Sequence, residues 1–160
     1  IRITLPAGRY DFHPDGAISR EYYISNHDQP NPKSVGIVLE DMHNVIFDGQ
    51  GAELIFHGRM LPVAVVDCSN CTVRNLSIDF ANPHISQVRV VKNDPEAGMI
   101  TYEVAPWVEY EIRDSMFVAK GEGWEHVPAW GIAFEGDTRR SHRARSSRRG
   151  ATRLWPRARS

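Results

Sequence analysis

From Gly36 onward the apolar residues recur in short strand-length runs, with no helical spacing among them. Gly36-Ile-Val-Leu-Glu-Asp-Met-His-Asn44 reads as a strand ending in a polar corner, and Val45-Ile-Phe-Asp-Gly-Gln-Gly51 as a second strand closing on glycines. A shift of 26 residues lays this stretch on a copy of itself: Leu39 meets Val65, Asp41 meets Asp67, Asn44 meets Asn70, Val45 meets Cys71 and Phe47 meets Val73. Trp130-Gly-Ile-Ala-Phe-Glu-Gly-Asp137 repeats the beginning of the same unit, and the first ten residues resemble the strand and turn of an earlier one. A unit this short cannot bury its own apolar side and has to stack on its copies. The pattern predicts an all-β chain built as a right-handed parallel β-helix. Its N-terminal coils occupy residues 1–80, and the next coil begins at 130–138.

Corner and ladder chemistry follow from that prediction. Asn44, Asn70, Gly49 and Gly51 are residue types that tolerate left-handed backbone angles, so they are expected to turn the chain between strands. Asp41 and Asp67 are read as corner residues as well. Val45 over Cys71 and Phe47 over Val73 are expected to stack inward on coils about 4.8 Å apart. Cys68 and Cys71 have the spacing of a redox or zinc pair, but the chain has a single such pair and the repeat sets Cys71 over valine, which favours packing. Residues 81–129 break the winding. The runs at 86–91 and 99–104, with Asn93-Asp-Pro-Glu-Ala-Gly98 between them, predict an antiparallel hairpin, to which 116–119 is expected to add a third strand. This inserted module is read as a small antiparallel β-barrel or hairpin sheet.

Charge divides the chain. Residues 1–138 hold 20 acidic and 10 basic side chains, a balance of −10, whereas 139–160 hold nine arginines with no lysine and no acid. The tail reads as disordered and as out-of-frame or otherwise non-native sequence, because the change falls inside a strand-like segment; an arginine arm for nucleic acid or anionic glycans is the competing reading. No apolar run approaches the roughly 20 residues of a membrane-spanning helix. No signal peptide is legible, and the sequence opens at Ile1 without a methionine.

Candidate chemistry gathers in and beside the inserted module, where Trp107, Tyr110, Trp124 and Trp130 lie among Glu109, Glu111, Asp114, Glu122 and Glu125. Tryptophan faces stack on sugar rings, and carboxylates accept sugar hydroxyls or act as acid and base. Asp79, where the coils meet the insertion, and Trp124 are the candidate substrate-binding residues. Each also has a structural reading, Asp79 as a hydrogen-bonded turn residue and Trp124 as an anchor of the insertion. His43, His57 and His84 are scattered without metal-site spacing, so no metal or other cofactor is expected. Phosphate-cradle and serine-nucleophile motifs are absent from the sequence.

Six stretches carry a resemblance: Tyr10-Asp-Phe-His-Pro-Asp-Gly16, Glu21-Tyr-Tyr-Ile-Ser-Asn-His-Asp28, Gly36-Ile-Val-Leu-Glu-Asp-Met-His-Asn44, Phe47-Asp-Gly-Gln-Gly51, Phe56-His-Gly-Arg-Met-Leu-Pro62 and Ser77-Ile-Asp-Phe-Ala-Asn-Pro-His84. Together they resemble the N-terminal part of bacterial α-1,3-galactosidases of glycoside hydrolase family 110, over nearly all of residues 1–138. The resemblance implies a right-handed parallel β-helix with inserted β-barrel modules. It also implies metal-free removal of terminal α-1,3-linked galactose from blood-group-B-type glycans, in some members also from linear ones, with inversion at the anomeric carbon, by a periplasmic, cell-surface or secreted enzyme. Inversion needs two carboxyl groups about 6.5–9.5 Å apart. No residue here is matched to either; both are expected in coils downstream, so this stretch alone is expected to be inactive. A glycan is the expected partner and nucleic acid is not. The alternatives are a non-catalytic carbohydrate-binding β-helix and another polysaccharide-acting β-helix enzyme.

Overall fold

A computed structural model describes residues 1–23, 31–129 and 131–135. They are all-β, without a helix: β1 (Arg2–Thr4), β2 (Arg9–Phe12), β3 (Ile18–Arg20), β4 (Lys33–Glu40), β5 (Ile46–Phe56), β6 (Leu61–Val66), β7 (Thr72–Phe80), β8 (Val88–Asp94), β9 (Met99–Val104), β10 (Glu109–Arg113), β11 (Met116–Gly121) and β12 (Trp124–His126). The arginine-rich segment 139–160 lies outside the described residues, as do Trp130 and residues 136–138 of the expected next coil. Two compact units emerge. Of the described residues, one comprises those of Ile1–His84 with Gly121–Trp124, and the other those of Ile85–Lys120 with those from Glu125 to Glu135.

In the first unit β5 is the central strand. One side of it pairs in parallel with β1 at its start (Arg2↔Ile46) and with β2 at its end (Phe12↔Phe56); the other side pairs in parallel with β7 along its length. A second sheet has the order β3-β4-β6, with β4 and β6 parallel and β3 antiparallel to β4. Leu39↔Val65 and Phe47↔Val73 are register partners, so the 26-residue offset of the sequence repeat is the spatial register of both sheets there. The offset then changes. After Asp48↔Arg74 the next partners are Ala52↔Leu76, because Gly49, Gln50 and Gly51 bulge opposite the single residue Asn75.

The corners form as their residue types suggest. Asp41, Asn44, Asp67 and Asn70 all have φ between 49° and 55°. Asn70 donates its side-chain amide to Asn44 Oδ1 at 2.6 Å, and the backbone N–H of Asn44 bonds Ser69 O at 3.0 Å, so one corner is tied to the next. Alanine at position 70 has no such amide and meets the left-handed penalty of about 1–2 kcal/mol, whereas glycine avoids the penalty. Asn70→Ala is therefore expected to lower unfolding free energy by about 1–2 kcal/mol, and Asn70→Gly by less, as read by urea denaturation.

Two expectations are corrected. Gly49 is not a left-handed residue; that conformation falls on Gln50 (φ 49°) and Gly51 (φ 92°). Gly49 instead permits close approach, since a Cβ there would sit 2.6 Å from Leu76 Cβ and 2.8 Å from the Asn75 carbonyl oxygen. The inward ladder is also unequally covered. Leu39 and Val45 are buried, but Val65 is 51% exposed and Val73 36% exposed, because β6 and β7 have a neighbour on one side only among the described residues. Cys68 and Cys71 are free and half-buried, each donating its S–H to a backbone carbonyl of the preceding repeat, Leu39 and Met42, at 3.4 Å.

The core of this unit is Ala52, Leu54, Phe56 and Met60, with Leu5, Tyr10, Phe12, Ile37, Leu76 and Phe80 packed against them. Register stacks three aromatic rings across β2, β5 and β7: Phe12 and Phe56 lie face to face at 4.8 Å, and Phe80 is tilted 6.1 Å from Phe56.

In the second unit β8 and β9 form the expected antiparallel hairpin, with Asp94 accepting the Ala97 N–H in its turn. The strand expected at 116–119 exists, but it does not extend that hairpin. It is β11, paired with β10 and β12 in a separate sheet that does not close on itself. Phe117 faces Tyr110, which stacks on it at 5.0 Å, and this packing holds β11 to β10.

Candidate functional site

Three segments of the first unit converge on His57. Strand β2 carries Asp11, the residue after β5 is His57 itself, and Glu122 belongs to the turn between β11 and β12. His57 Nε2 lies 2.9 Å from Asp11 Oδ1, and Nδ1 lies 3.0 Å from both carboxylate oxygens of Glu122. Ionised carboxylates only accept hydrogen bonds, so the two contacts are both satisfied when both ring nitrogens donate, which favours the protonated imidazole. Hydrogen bonds to Asp11 and then Glu122 raise the His57 pKa above its ordinary value. Asp11 is pushed well below the carboxylate range by bonds from Arg9 and His57, and Glu122 is lowered chiefly by His57. The backbone N–H of Gly58 also donates to Glu122 at 3.0 Å, and the ring of His13 stacks on His57 at 4.2 Å.

This constellation ties three segments together, and its shifts do not suit the protonated acid of a glycosidase. A glycosidase acid has to stay protonated near neutral pH, which needs a raised carboxyl pKa. Among the described residues every carboxyl with a resolved shift moves down: Asp11, Asp48, Asp94, Glu111, Glu122 and Glu125. The fastening is pH-dependent. Its histidine part is fully present below the unfolded value of 6.5 and is lost as pH rises through the raised folded value. Its carboxylate part is present above the unfolded values of 3.8 and 4.5 and is lost as pH falls through the lowered ones. His57→Gln is therefore expected to reduce the thermal midpoint most between pH 4.5 and 6.5, with the difference from the native chain shrinking on either side, as read by melting curves across pH.

The sequence candidates occupy different surroundings. Trp124 is buried, its indole lying directly over Gly121, where a Cβ would come within 2.3 Å of the ring. Its edge meets the His84 ring at 5.3 Å, and His84 Nε2 lies 2.8 Å from the Gly58 carbonyl oxygen. Asp79 is exposed on β7, accepts the Phe80 N–H at 2.8 Å and shares the register partner Ile55 with Asp11. The structure does not bring Asp79 and Trp124 into hydrogen-bonding contact. His43 lies 2.6 Å from the Ser69 hydroxyl at a corner, through Nδ1. The His57 clamp was not legible in the sequence, because its partners stand 46 and 65 residues away and share no motif.

A second polar cluster is structural. Asp48 is buried next to the bulge, where it accepts hydrogen bonds from Asn75 at 2.9 Å, Arg74 at 2.9 Å and Arg2 at 2.7 Å.

Comparison with known proteins bears on both units. Residues 86–153 match the family model described as GLAA-B beta-barrel domain I. The chain is 68% identical over 139 residues to alpha-1,3-galactosidase B of Parabacteroides distasonis, covering 87% of this chain and 23% of that protein. It is 59% identical over 140 residues to alpha-1,3-galactosidase B of Phocaeicola vulgatus, covering 87% and 24%, and 36% identical over 141 residues to alpha-1,3-galactosidase A of Bacteroides fragilis, covering 85% and 23%. The chain thus spans about a quarter of the length of these relatives. Over 85–87% of its length the chain is thus similar to the bacterial α-1,3-galactosidases that its motifs resemble.

Proposed function

We propose that this chain forms part of the scaffold of an exo-acting glycoside hydrolase that removes terminal α-1,3-linked galactose, with inversion, from blood-group-B-type and also linear glycans outside the cytoplasm. The observation that carries the proposal is the 68% identity over 139 residues to a protein named alpha-1,3-galactosidase B. The reading includes a right-handed parallel β-helix over the first unit, supported by the parallel pairing of β4 with β6 and of β5 with β7 at the 26-residue offset of the repeat. It assigns the protonated acid and the ionised base to the remaining length of the enzyme; for the acid this is in keeping with the downward pKa shifts of Asp11 and Glu122.

A graft tests it. Residues 1–135 of this chain replace the matching segment of the Parabacteroides distasonis relative, and galactose release from a B-type trisaccharide is followed by NMR. The expected result is turnover with β-galactose as the first-formed anomer. A folded chimera that releases no galactose overturns the assignment, and α-galactose as the first product overturns inversion.

A further inference from the structure

The second unit holds a concave site that neither the fold nor the His57 clamp uses. At the end of the β8–β9 hairpin a cavity of about 360 Å³ is lined by Gln87, Val88, Arg89, Glu103, Val104, Ala105, Pro106 and Trp107. That volume is at the small end of ligand pockets, which run from about 300 to 1,000 Å³, and so suits a single ring better than an extended chain.

Its walls are fixed by backbone geometry. Arg89 and Glu103 are cross-strand partners joined by an ion pair, and Val88 and Val104 are the adjacent pair. Beyond them the Ala105 N–H bonds Gln87 O at 2.9 Å. A turn carrying Pro106 and Trp107 then closes with Val108 N–H donating to Ala105 O at 3.0 Å. Proline in a turn restricts φ, so Trp107 sits on a short, stiff support beside the cavity. Trp107 stays 40% exposed although large aromatic groups normally bury their faces, and Gln87, Arg89 and Glu103 line the same cavity.

A cavity lined by a partly exposed tryptophan, an arginine and a glutamate matches the two-sided chemistry of a pyranose, which offers an apolar C–H face and a rim of hydroxyls that both donate and accept. We propose that this cavity is a saccharide-binding site for one hexopyranose ring, with Trp107 stacking on the apolar face and Arg89, Glu103 and Gln87 taking the hydroxyls. The choice of a sugar over other small polar rings rests on the glycosidase reading above.

The test titrates free galactose, and separately glucose, into the full 160-residue chain. Saturation transfer to the sugar ring protons and the chain's tryptophan fluorescence are recorded. Weak, millimolar binding is expected for at least one hexose. Trp107→Ala should weaken it by about tenfold or more, and Trp107→Phe, which keeps an aromatic face and controls for folding, by less. Absence of saturation transfer with both sugars, or binding unchanged in Trp107→Ala with native circular dichroism, overturns the site. Because free hexoses are not hydrolysed, a negative result here leaves the galactose-release assay to stand or fall separately.

Discussion

Replacing Phe56 by alanine is expected to lower the unfolding free energy of the chain by about 3–5 kcal/mol, the range for removing a buried aromatic ring. Phe56 is fully buried, and it is the middle ring between Phe12 and Phe80. Its loss therefore removes two ring contacts and opens a cavity bounded by strands on both sides, where β2 and β7 cannot close in without breaking their pairing with β5. Phe56→Leu keeps much of the volume and should cost less. Guanidinium denaturation monitored by circular dichroism separates the two. Equal stability of Phe56→Ala and the native chain would mean that this ladder is not the core.

The second large effect is expected at Gly49. A valine there has to place its Cβ 2.6 Å from Leu76 Cβ and 2.8 Å from the Asn75 carbonyl oxygen. Neither obstacle can rotate away, since a Cβ is fixed by its own backbone and the carbonyl is backbone, so β5 and β7 must separate locally. Overpacking of this kind costs about 1–3 kcal/mol, and more where a backbone has to move. The movement would also disturb Asp48, whose bonds to Asn75 and Arg74 tie the same two strands together. Trimming Leu76 to alanine should recover little of the loss, because alanine keeps the clashing Cβ and the Asn75 carbonyl remains in the way. Full recovery in the double variant, measured by the same denaturation, would show that the backbone is free to shift.

Strand content and register over residues 35–48 were legible because they rest on periodic signals: alternating apolar positions, and Asn or Asp where the chain must turn with positive φ. The repeat fades after Asp48 for a physical reason. Three residues of β5 oppose one of β7, so the partner offset drops from 26 to 24 residues and Phe56 aligns with Phe80 rather than with the residue the repeat would choose. The turn between β10 and β11 was hidden for another. It is made by Asp114 and Ser115, both with positive φ, without the glycine that normally marks such a two-residue hairpin. The His57 clamp depends on side chains that only tertiary structure brings together. Trp124 was noticed for its chemistry, yet what holds it is its fit over Gly121.

The position of β5 between its neighbours also sets an order of events. Both β1 and β2 pair with it across 44 residues of sequence, Arg2 with Ile46 and Arg9 with Glu53, and neither pairs with the other. Closing so long a loop costs entropy before any contact rewards it, and topologies dominated by distant pairings assemble slowly. Strands β1 and β2 can therefore take their places in this sheet only once β5, which ends at Phe56, is present. Formation of the central strand thus precedes the docking of the two short ones on its open side.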